Sequence, residues 1–393
     1  MTKKSDAPAI RFKGFSDAWE QRKLGDIADI VGGGTPSTGN QSYWDGDIDW
    51  YAPAEIADQI YANSSQKKIT GLGYENSSAK MLPPGTVLFT SRAGIGKTAI
   101  LTRKGCTNQG FQSIVPHRGE LDSYFIFSRT EELKRYGELV GAGSTFVEVS
   151  GKQMAVMELM MPPTMREQQT IGGFFQQLDN LITLHQRKFE KLTNVKKSML
   201  EKMFPQNGSS YPEIRFKGFT DPWEQRKVQD VADRFDNLRI PVAANLRVHG
   251  TTPYYGANGI QDYVEGFTHD GEFVLVAEDG ANDLKNYPVK CVNGRIWVNN
   301  HAHVLQGKAG ISDNSFLAFA ISQSDIESLL VGGSRAKLNA ETLMSIEFKL
   351  PCLQEQYRIG EYLAQLDHLI TLHQRELEKL QNIKKSMLEK MFV

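Results

Sequence analysis

Residues 167–204 read EQQTIGGFFQQLDNLITLHQRKFEKLTNVKKSMLEKMF, and residues 355–392 read EQYRIGEYLAQLDHLITLHQRELEKLQNIKKSMLEKMF. From Gln177 onward, 23 of the 28 positions are identical in the two copies. Apolar residues recur at steps of three and four along both copies, which is typical of an amphipathic helix with a coiled-coil seam. The sequence therefore predicts two long and nearly identical helices, each roughly 57 Å in length, that pack on each other.

A second repeat precedes these helices. Residues 10–29 and 214–233 are identical at 15 of 20 positions and share the stretch IRFKGF. The segments that follow, 31–163 and 234–351, have almost no sequence in common. The chain therefore consists of two related units that keep the same helix and carry different heads.

Short apolar runs bounded by turns predict strands in both heads, and helical patches lie beside them. The predicted fold class is α+β, with two mixed, strand-rich heads and two long antiparallel coiled-coil helices in a pseudo-two-fold internal repeat. Trp19 and Trp223 occupy matching places in the repeat, and we interpret both as core anchors. In the alternative interpretation, the helices are unrelated surface helices, each lying on its own head. The predicted limits are 1–163 for the first head, 164–204 for the first helix, 205–213 for a linker, 214–351 for the second head and 352–393 for the second helix.

Composition narrows the class of protein. The chain has 393 residues, 45 Lys and Arg against 46 Asp and Glu, and 40% hydrophobic residues, as in ordinary folded domains. No apolar run is long enough to span a bilayer and no signal peptide begins the chain, so we expect a cytoplasmic protein without a membrane partner. Three scattered cysteines fit neither a disulfide framework nor a zinc site.

The first head contains a glycine-rich turn, SRAGIGKT, at residues 91–98. This turn ends like a phosphate-binding loop, but the GxxxxGK[ST] pattern requires glycine at the position of Ser91. We therefore do not expect nucleotide hydrolysis. Arg92 and Lys97 are instead candidates to contact phosphate oxygens or base edges, with the glycines allowing close backbone approach.

A similar signal ends each head, where a short glycine-containing loop precedes a helical stretch. A turn that merely reverses the chain explains these glycines equally well, so the choice between a turn and a DNA contact stays open for both serines. The candidate DNA-binding residues in these loops are Ser144, Thr145, Ser334, Arg335 and Lys337.

Motifs of catalysis are missing from the sequence. It contains no Asn-Pro-Pro-Tyr/Phe stretch of an adenine methyltransferase, no FxGxG cofactor loop, no metal-ligand spacing and no GxSxG elbow. We therefore predict no catalytic, cofactor-binding or metal-binding residue in this chain. The densest polar cluster with histidine is interpreted as loop or strand-edge residues: Asn299, Asn300, His301 and His303.

Together, these motifs resemble a DNA specificity subunit of a type I restriction-modification system, over essentially the whole chain. Both long helices start with E-Q-x-x-I-G after a Pro-containing turn, at Glu167 and at Glu355, and both continue with Q-L-D-x-L-I. The first head opens with GGGTPS at 32–37 and has YWDGDI at 43–48. The order of variable and constant segments is more specific than any of these motifs.

The resemblance implies that each head is a target recognition domain for one half of a bipartite, asymmetric site on double-stranded DNA. It also implies that the constant helices set the spacing and dock two methyltransferase subunits, with restriction motor subunits joining the complex. S-adenosylmethionine, ATP and Mg²⁺ would belong to those partners, and this chain would bind no cofactor and catalyse nothing. A net charge of −1 suggests that the methyltransferase subunits share the phosphate contacts. The alternative function is a bivalent adaptor whose two heads bind a partner other than DNA.

Overall fold

The computed structural model of the chain describes residues 7–56, 59–92, 94–142, 148–332 and 336–393. It divides into two compact units, the first formed by Met1–His185 with Glu376–Val393 and the second by Gln186–Arg375. Each unit contains one head, the first part of the long helix after that head, and the last part of the other long helix. The limits proposed above for heads and helices stay predictions. Across the described residues, no helix is both long and apolar enough to cross a membrane.

The first head alternates short strands with short helices. In chain order its elements are β1 (Glu20–Lys23), α1 (Leu24–Ile27), β2 (Ala28–Gly32), β3 (Trp44–Tyr51), β4 (Tyr61–Ala62), β5 (Lys67–Ile69), α2 (Gly71–Glu75), β6 (Val87–Phe89), β7 (Thr98–Leu101), β8 (Cys106–Thr107), β9 (Gln112–Pro116), α3 (Ser123–Ser128), α4 (Thr130–Gly141), α5 (Gly151–Ala155) and β10 (Glu158–Met161), before α6 (Met165–Met203). Its sheets have the orders β2-β9-β6-β7-β4, β5-β3-β8 and β1-β10.

The second head is built in the same way around a larger sheet. Its elements are β11 (Glu224–Lys227), α7 (Val228–Val231), β12 (Ala232–Arg234), β13 (His249–Gly256), β14 (Gly259–Val264), β15 (His269–Ala277), β16 (Val289–Val298), β17 (Ala302–Gly307), α8 (Asn314–Ser322), α9 (Ala340–Ser345) and β18 (Glu347–Leu350), before α10 (Leu353–Lys390). Its sheets have the orders β12-β17-β15-β16-β13-β14 and β11-β18.

The central strands of both heads are apolar at consecutive positions because each side of the strand faces a separate core. In β6, Val87 and Phe89 pack in one core and Leu88 packs in another. In β15, Val274 and Phe273 likewise belong to two different cores. A strand buried on both faces loses the alternation of apolar and polar residues, which explains the continuous runs that predicted these strands.

In each unit the two long helices pack antiparallel. In the first unit, Lys384 Nζ lies 2.6 Å from Asp179 Oδ1, and the Phe392 ring stacks on Phe175, with 5.8 Å between centroids. Lys384 near the end of α10, and Phe392 just after it, thus meet residues in the first half of α6, with the later residue meeting the earlier one. The second unit repeats the ion pair at the matching positions, with Lys196 Nζ 2.5 Å from Asp367 Oδ1. Lys196 and Lys384, which occupy matching positions of the repeat, therefore both form ion pairs between the helices.

The copied sequence blocks fasten each head to its helix. Arg11 donates two hydrogen bonds to the buried carboxylate of Glu167, at 2.7 and 2.8 Å. Arg215 donates two to Glu355, both at 2.7 Å. Both tryptophans of the repeat are buried, Trp19 at 3% and Trp223 at 2% exposure, and pack in the main core of their heads. The repeated residues are therefore structural.

Gln168, the next residue of the E-Q-x-x-I-G motif, holds the start of α3 against α6. The Gln168 side chain accepts from Asp122 N at 3.0 Å and donates to Glu120 O at 3.0 Å. Asp122 in turn caps α3 by accepting from Phe125 N at 2.8 Å. Gln356 and Asp313 make the matching contacts at the start of α8. Both heads therefore contain a helix with an aspartate N-cap, although the sequences of the two helices have little in common.

Candidate nucleic-acid interface

Three loops of the first head meet at Ser91, the second residue after the end of β6. Ser91 N donates to Gly110 O at 2.8 Å, and Val149 N donates to Ser91 O at 3.0 Å. A single antiparallel bridge joins the neighbouring residue, Arg92, to Glu148. The loop that carries the candidates Ser144 and Thr145 thus returns to the turn that carries Arg92, although those two residues lie outside the described part of the chain.

The second head has the same arrangement at Glu278. Glu278 N donates to His301 O at 2.9 Å, and Leu338 N donates to Glu278 O at 2.8 Å. A single antiparallel bridge joins Asp279 to Lys337. The candidates Ser334 and Arg335, which precede Lys337, again lie outside the described residues. We call each of these meeting points the loop junction of its head.

The two loop junctions carry opposite charges at equivalent positions. Where the first head has Arg92 opposite Glu148, the second has Asp279 opposite Lys337. Arginine donates to guanine in the major groove, whereas a carboxylate accepts from the amino group of cytosine. The same backbone arrangement therefore presents different hydrogen-bonding groups in the two heads.

Each loop junction also contains a turn that begins with an asparagine. The equivalence of these two turns was not predicted from the sequence. Asn108 N donates to Tyr51 O at 3.0 Å, and Asn299 N donates to Tyr255 O at 3.1 Å. Each asparagine side chain then accepts from the backbone N–H two residues later, at 2.8 Å in both heads. Because the residues on either side differ between the heads, the shared sequence signal is a single asparagine directly after β8 and directly after β16. Gln109 and Asn300, at the tips of these turns, are exposed.

Lys97 ends the turn that carries Arg92, and its backbone carbonyl accepts from the N–H of Thr90, the residue before Ser91, at 3.0 Å. Lys97 lines a cleft of about 630 Å³ in the first unit, together with Lys134 of α4 and Asp179. Gly96 has a φ of +93°, and a Cβ on it would lie 2.4 Å from the Lys134 side chain. The close approach that this glycine allows is therefore to α4, whereas we expected it to serve a ligand. Arg92 and Lys97 are both exposed, and of the two Lys97 lines this cleft.

Lys337 takes part in a partly buried network of charges. Its Nζ lies 2.8 Å from Glu278 Oε1, and Arg239 Nη1 lies 2.7 Å from Glu278 Oε2. Burial alone would raise the pKa of Glu278, but its hydrogen bonds with Lys337 and Arg239 hold this pKa below the ordinary value. The neighbouring pair, His303 and Asp236, is joined at 2.7 Å.

This network includes the group of described residues whose spacing would suit a metal ion: Asp236, Glu278 and His303. Both oxygens of Glu278 already face cationic side chains, and Asp236 contacts the His303 ring. A metal ion would have to displace these partners. We therefore interpret the group as a salt-bridge network that holds the loop junction together.

Comparison with known proteins identifies the class to which this fold belongs. The family model for the type I restriction modification DNA specificity domain matches residues 16–194 and 220–382. The chain therefore belongs to the family of type I restriction-modification DNA specificity subunits, and its function is DNA recognition within such a system. The predicted family, fold class and DNA-recognition role are thus confirmed.

Particular members of the family show how far the likeness extends. A putative type I restriction enzyme specificity subunit of Haemophilus influenzae is 42% identical over 163 residues, and this match spans only 42% of either protein. A type I restriction enzyme specificity subunit of Methanocaldococcus jannaschii is 24% identical over 402 residues, covering 95% of this chain and 92% of the relative. The crystal structure of a type I restriction-modification S subunit from M. genitalium has the same fold, with a TM-score of 0.71 at 13% identity, covering 98% of this chain and 99% of that one.

Proposed function

We propose that each head recognises one half of a bipartite, asymmetric DNA site, and that the chain thereby directs adenine methylation or cleavage by partner subunits. The observation that supports this proposal is the pair of loop junctions. They have the same hydrogen-bonded backbone but opposite charges at equivalent positions. Two such surfaces favour two different base sequences. The candidate contacts remain Arg92, Lys97, Ser144, Thr145, Ser334, Arg335 and Lys337.

The partners of the proposed complex are two methyltransferase subunits docked on the constant helices, with restriction motor subunits joining them. Matching leucines on the two helices support a repeated docking surface. Leu181 and Leu184 are each 46% exposed on α6, and their copies Leu369 and Leu372 are 40% and 44% exposed on α10. Exposed apolar pairs on a helix are typical of a partner contact, and their repetition favours two copies of the same partner.

In this proposal the chain has no catalytic activity of its own. S-adenosylmethionine, ATP and Mg²⁺ would be bound by the methyltransferase and motor subunits. The purified chain should therefore transfer no methyl group to DNA, whereas addition of methyltransferase subunits should restore methylation. Methylation by the purified chain alone would contradict this part of the proposal.

The decisive experiment exchanges one head. Residues 31–163 are replaced by the matching segment of another specificity subunit, and methylated adenines are mapped across a genome that expresses the hybrid with its methyltransferase. We expect one half of the methylated site to change and the other half to stay the same. A simultaneous change in both halves would contradict independent recognition. If the wild-type complex shows no salt-dependent affinity for DNA, the chain would instead act as a bivalent adaptor.

The proposed spacing role of the helices has a separate test. A four-residue insertion near Thr193 adds about one helical turn, or roughly 6 Å. Both half-sites should be retained, while the unrecognised spacer between them grows by one or two base pairs. A two-residue insertion is the control, because it rotates the seam away from its partner helix and should impair assembly. If the strain with the four-residue insertion still methylates DNA and its spacer is unchanged, the helices do not set the spacing, and docking of partner subunits would be their only role.

A further inference from the structure

Four basic residues lie close together at one edge of the first head. Lys67 and Lys68 belong to β5, and Arg103 and Lys104 form the turn between β7 and β8. The sheet order β5-β3-β8 places β3 between these two pairs. We call these four residues the basic edge.

A buried carboxylate on β3 organises the basic edge. The Asp49 side chain is 3% exposed, and its Oδ1 accepts from Lys68 Nζ, Ser65 N and Ser65 Oγ, each at 3.0 Å. Its other oxygen, Oδ2, lies 2.6 Å from Arg103 Nε. Burial would raise the pKa of Asp49, but the donors from Ser65 and Lys68 and the charge of Arg103 hold it below the ordinary value. Asp49 therefore stays ionised at neutral pH.

The cations keep much of their surface in water. The Lys68 side chain is 34% exposed and that of Arg103 is 51% exposed. Lys67 and Lys104 are exposed, and neither makes an ion pair with a residue that the structure describes. Asp49 pairs with two of the four cations, Lys68 and Arg103. Asp45 and Asp47, the other carboxylates of β3, are exposed on the same strand, so the four basic residues outnumber the three carboxylates of β3 by one. A surface of this kind suits the phosphates of a nucleic acid.

The second head lacks this feature at the equivalent place. The parallel pairing of Trp50 with Cys106 in the first head matches that of Tyr254 with Trp297 in the second. In this register, the first head pairs Asp49 with Lys68, whereas the second pairs Pro253 with Tyr263. The basic edge is therefore specific to the first head.

We propose that Asp49 is a positioning residue that holds Lys68 and Arg103 for contact with DNA phosphates, so that the first head supplies salt-sensitive affinity through a pair of cations that the second head lacks at the equivalent place. This inference rests on the proposed DNA-recognition function and names a new contact surface for it. It also explains how a chain with almost no net charge can contribute phosphate contacts.

The test measures the affinity of the full chain, assembled with methyltransferase subunits, for duplex DNA between 50 and 200 mM salt. For the K68A/R103A variant, loss of two phosphate contacts should lower the slope of log K against log salt by about 1.8. The loss of affinity across this salt range should then be about tenfold smaller than in the wild type. D49N should lower the slope by less, and K68R/R103K, which keeps both charges, should restore it.

Two controls distinguish the basic edge from a general effect of charge. K13A/K23A removes two exposed lysines elsewhere in the first unit, and Y263A changes the equivalent position of the second head without altering charge. Both should keep the wild-type slope. An unchanged slope in K68A/R103A would overturn the proposal, and so would a changed methylation sequence, because the residues would then contact bases. Absence of salt-dependent binding in the wild-type complex would instead refute DNA recognition by the chain.

Discussion

The two heads share a backbone arrangement but differ in how their charges are placed. At the loop junctions, Arg92 and Glu148 of the first head stand where the second head has Asp279 and Lys337. On β3, which belongs to another sheet, the first head buries Asp49 against two cations, whereas the second head has Pro253 and Tyr263 at the equivalent paired positions. Backbone hydrogen bonds therefore preserve the form of the site, while the side chains are free to vary with the DNA sequence.

The heads also differ in how firmly they bind their helix. In the first unit, the buried Glu167 accepts from Arg11 and from Trp19 Nε1, the latter at 3.2 Å. In the second unit, Glu355 accepts from Arg215, but Trp223 Nε1 has no hydrogen-bond partner among the described residues. The second anchor therefore depends more strongly on its arginine.

The largest expected effect comes from removing these arginines. Arg11→Met and Arg215→Met should each lower the free energy of unfolding of their unit by about 3 to 5 kcal/mol, since each leaves a buried carboxylate without its charged partner. Arg215→Met should cost more, because Glu167 keeps the Trp19 donor and Glu355 has no such donor. Hydrogen exchange under increasing denaturant reports each unit separately. Arg226→Met, at an exposed ion pair, is the control, and equal losses would contradict the difference between the anchors.

The aromatic residues that end the two helix repeats should give the next largest effect. Phe204 is 6% exposed and stacks on Phe316, with 5.5 Å between centroids. Its counterpart Phe392 is only partly buried, against Phe175 and Arg129. Phe204→Ala should therefore cost about 3 to 5 kcal/mol of unfolding free energy, and Phe392→Ala should cost less. Denaturant unfolding measures both, with the exposed Leu184→Ala as control, and a larger cost at Phe392 would contradict this ranking.

Substitutions at the two loop junctions should affect recognition of different half-sites. Arg92→Ala should weaken discrimination in the half-site of the first head by about 1 to 3 kcal/mol, and Asp279→Ala should do the same for the second head. Methylome sequencing of the two strains checks this prediction. Each variant should relax a different half of the site, and Arg118→Ala, at another exposed position of the first head, should relax neither. Relaxation of the same half by both variants would contradict recognition of separate half-sites by the two heads.

The smallest expected effect is a difference in pH dependence. Burial lowers the pKa of His269 in the second head below its ordinary value of 6.5. The unfolded chain therefore takes up a proton that the folded head excludes, and stability should fall as the pH drops below 6.5. The lowered pKa of Glu278 adds a further loss below its ordinary value of 4.5. In the first head, the lowered pKa of Asp49 gives a loss below 3.8.

Calorimetry between pH 8 and 5 tests this difference. The unfolding temperature of the second unit should decrease over this range, and His269→Gln should remove most of the decrease whatever its effect on absolute stability. A decrease that persists in the variant would assign the pH dependence to other groups.

The parts that were predictable from sequence depend on local spacing or on the internal repeat. Steps of three and four indicated α6 and α10, and the matching positions of Trp19 and Trp223 indicated core anchors. Some strands were also recognisable, among them β6, β7, β9 and β15, because consecutive apolar residues between turns are typical of strands buried on both faces. Polar strands such as β1 and β11, which both read EQRK, gave no such signal. The helical patches were recognisable only in outline, since the sequence did not show that α3 and α4 are two helices separated by Arg129.

The candidate site was only partly predictable. Arg92 and Lys337 were selected from glycine-rich loops, and the structure places both at loop junctions, whereas Lys97, at the other end of the Arg92 turn, lines a cleft with α4. Asp49 gave no signal of its own, because it is one of three aspartates in β3 and the sequence does not show which of them is buried. Its importance comes from Lys68 and Arg103, which lie 19 and 54 positions away in the sequence.

The sequence by itself determined that this protein has two related units, two long helices with a shared seam, and two dissimilar heads. Only the tertiary structure decided that the heads are alike in form and different in charge at equivalent positions. The physical reason is that the shared arrangement consists of hydrogen bonds between backbone groups, which every residue type except proline can make in full. Such an arrangement survives almost complete replacement of its side chains, so the similarity of the heads is visible in their strand pairing and hardly at all in their sequences.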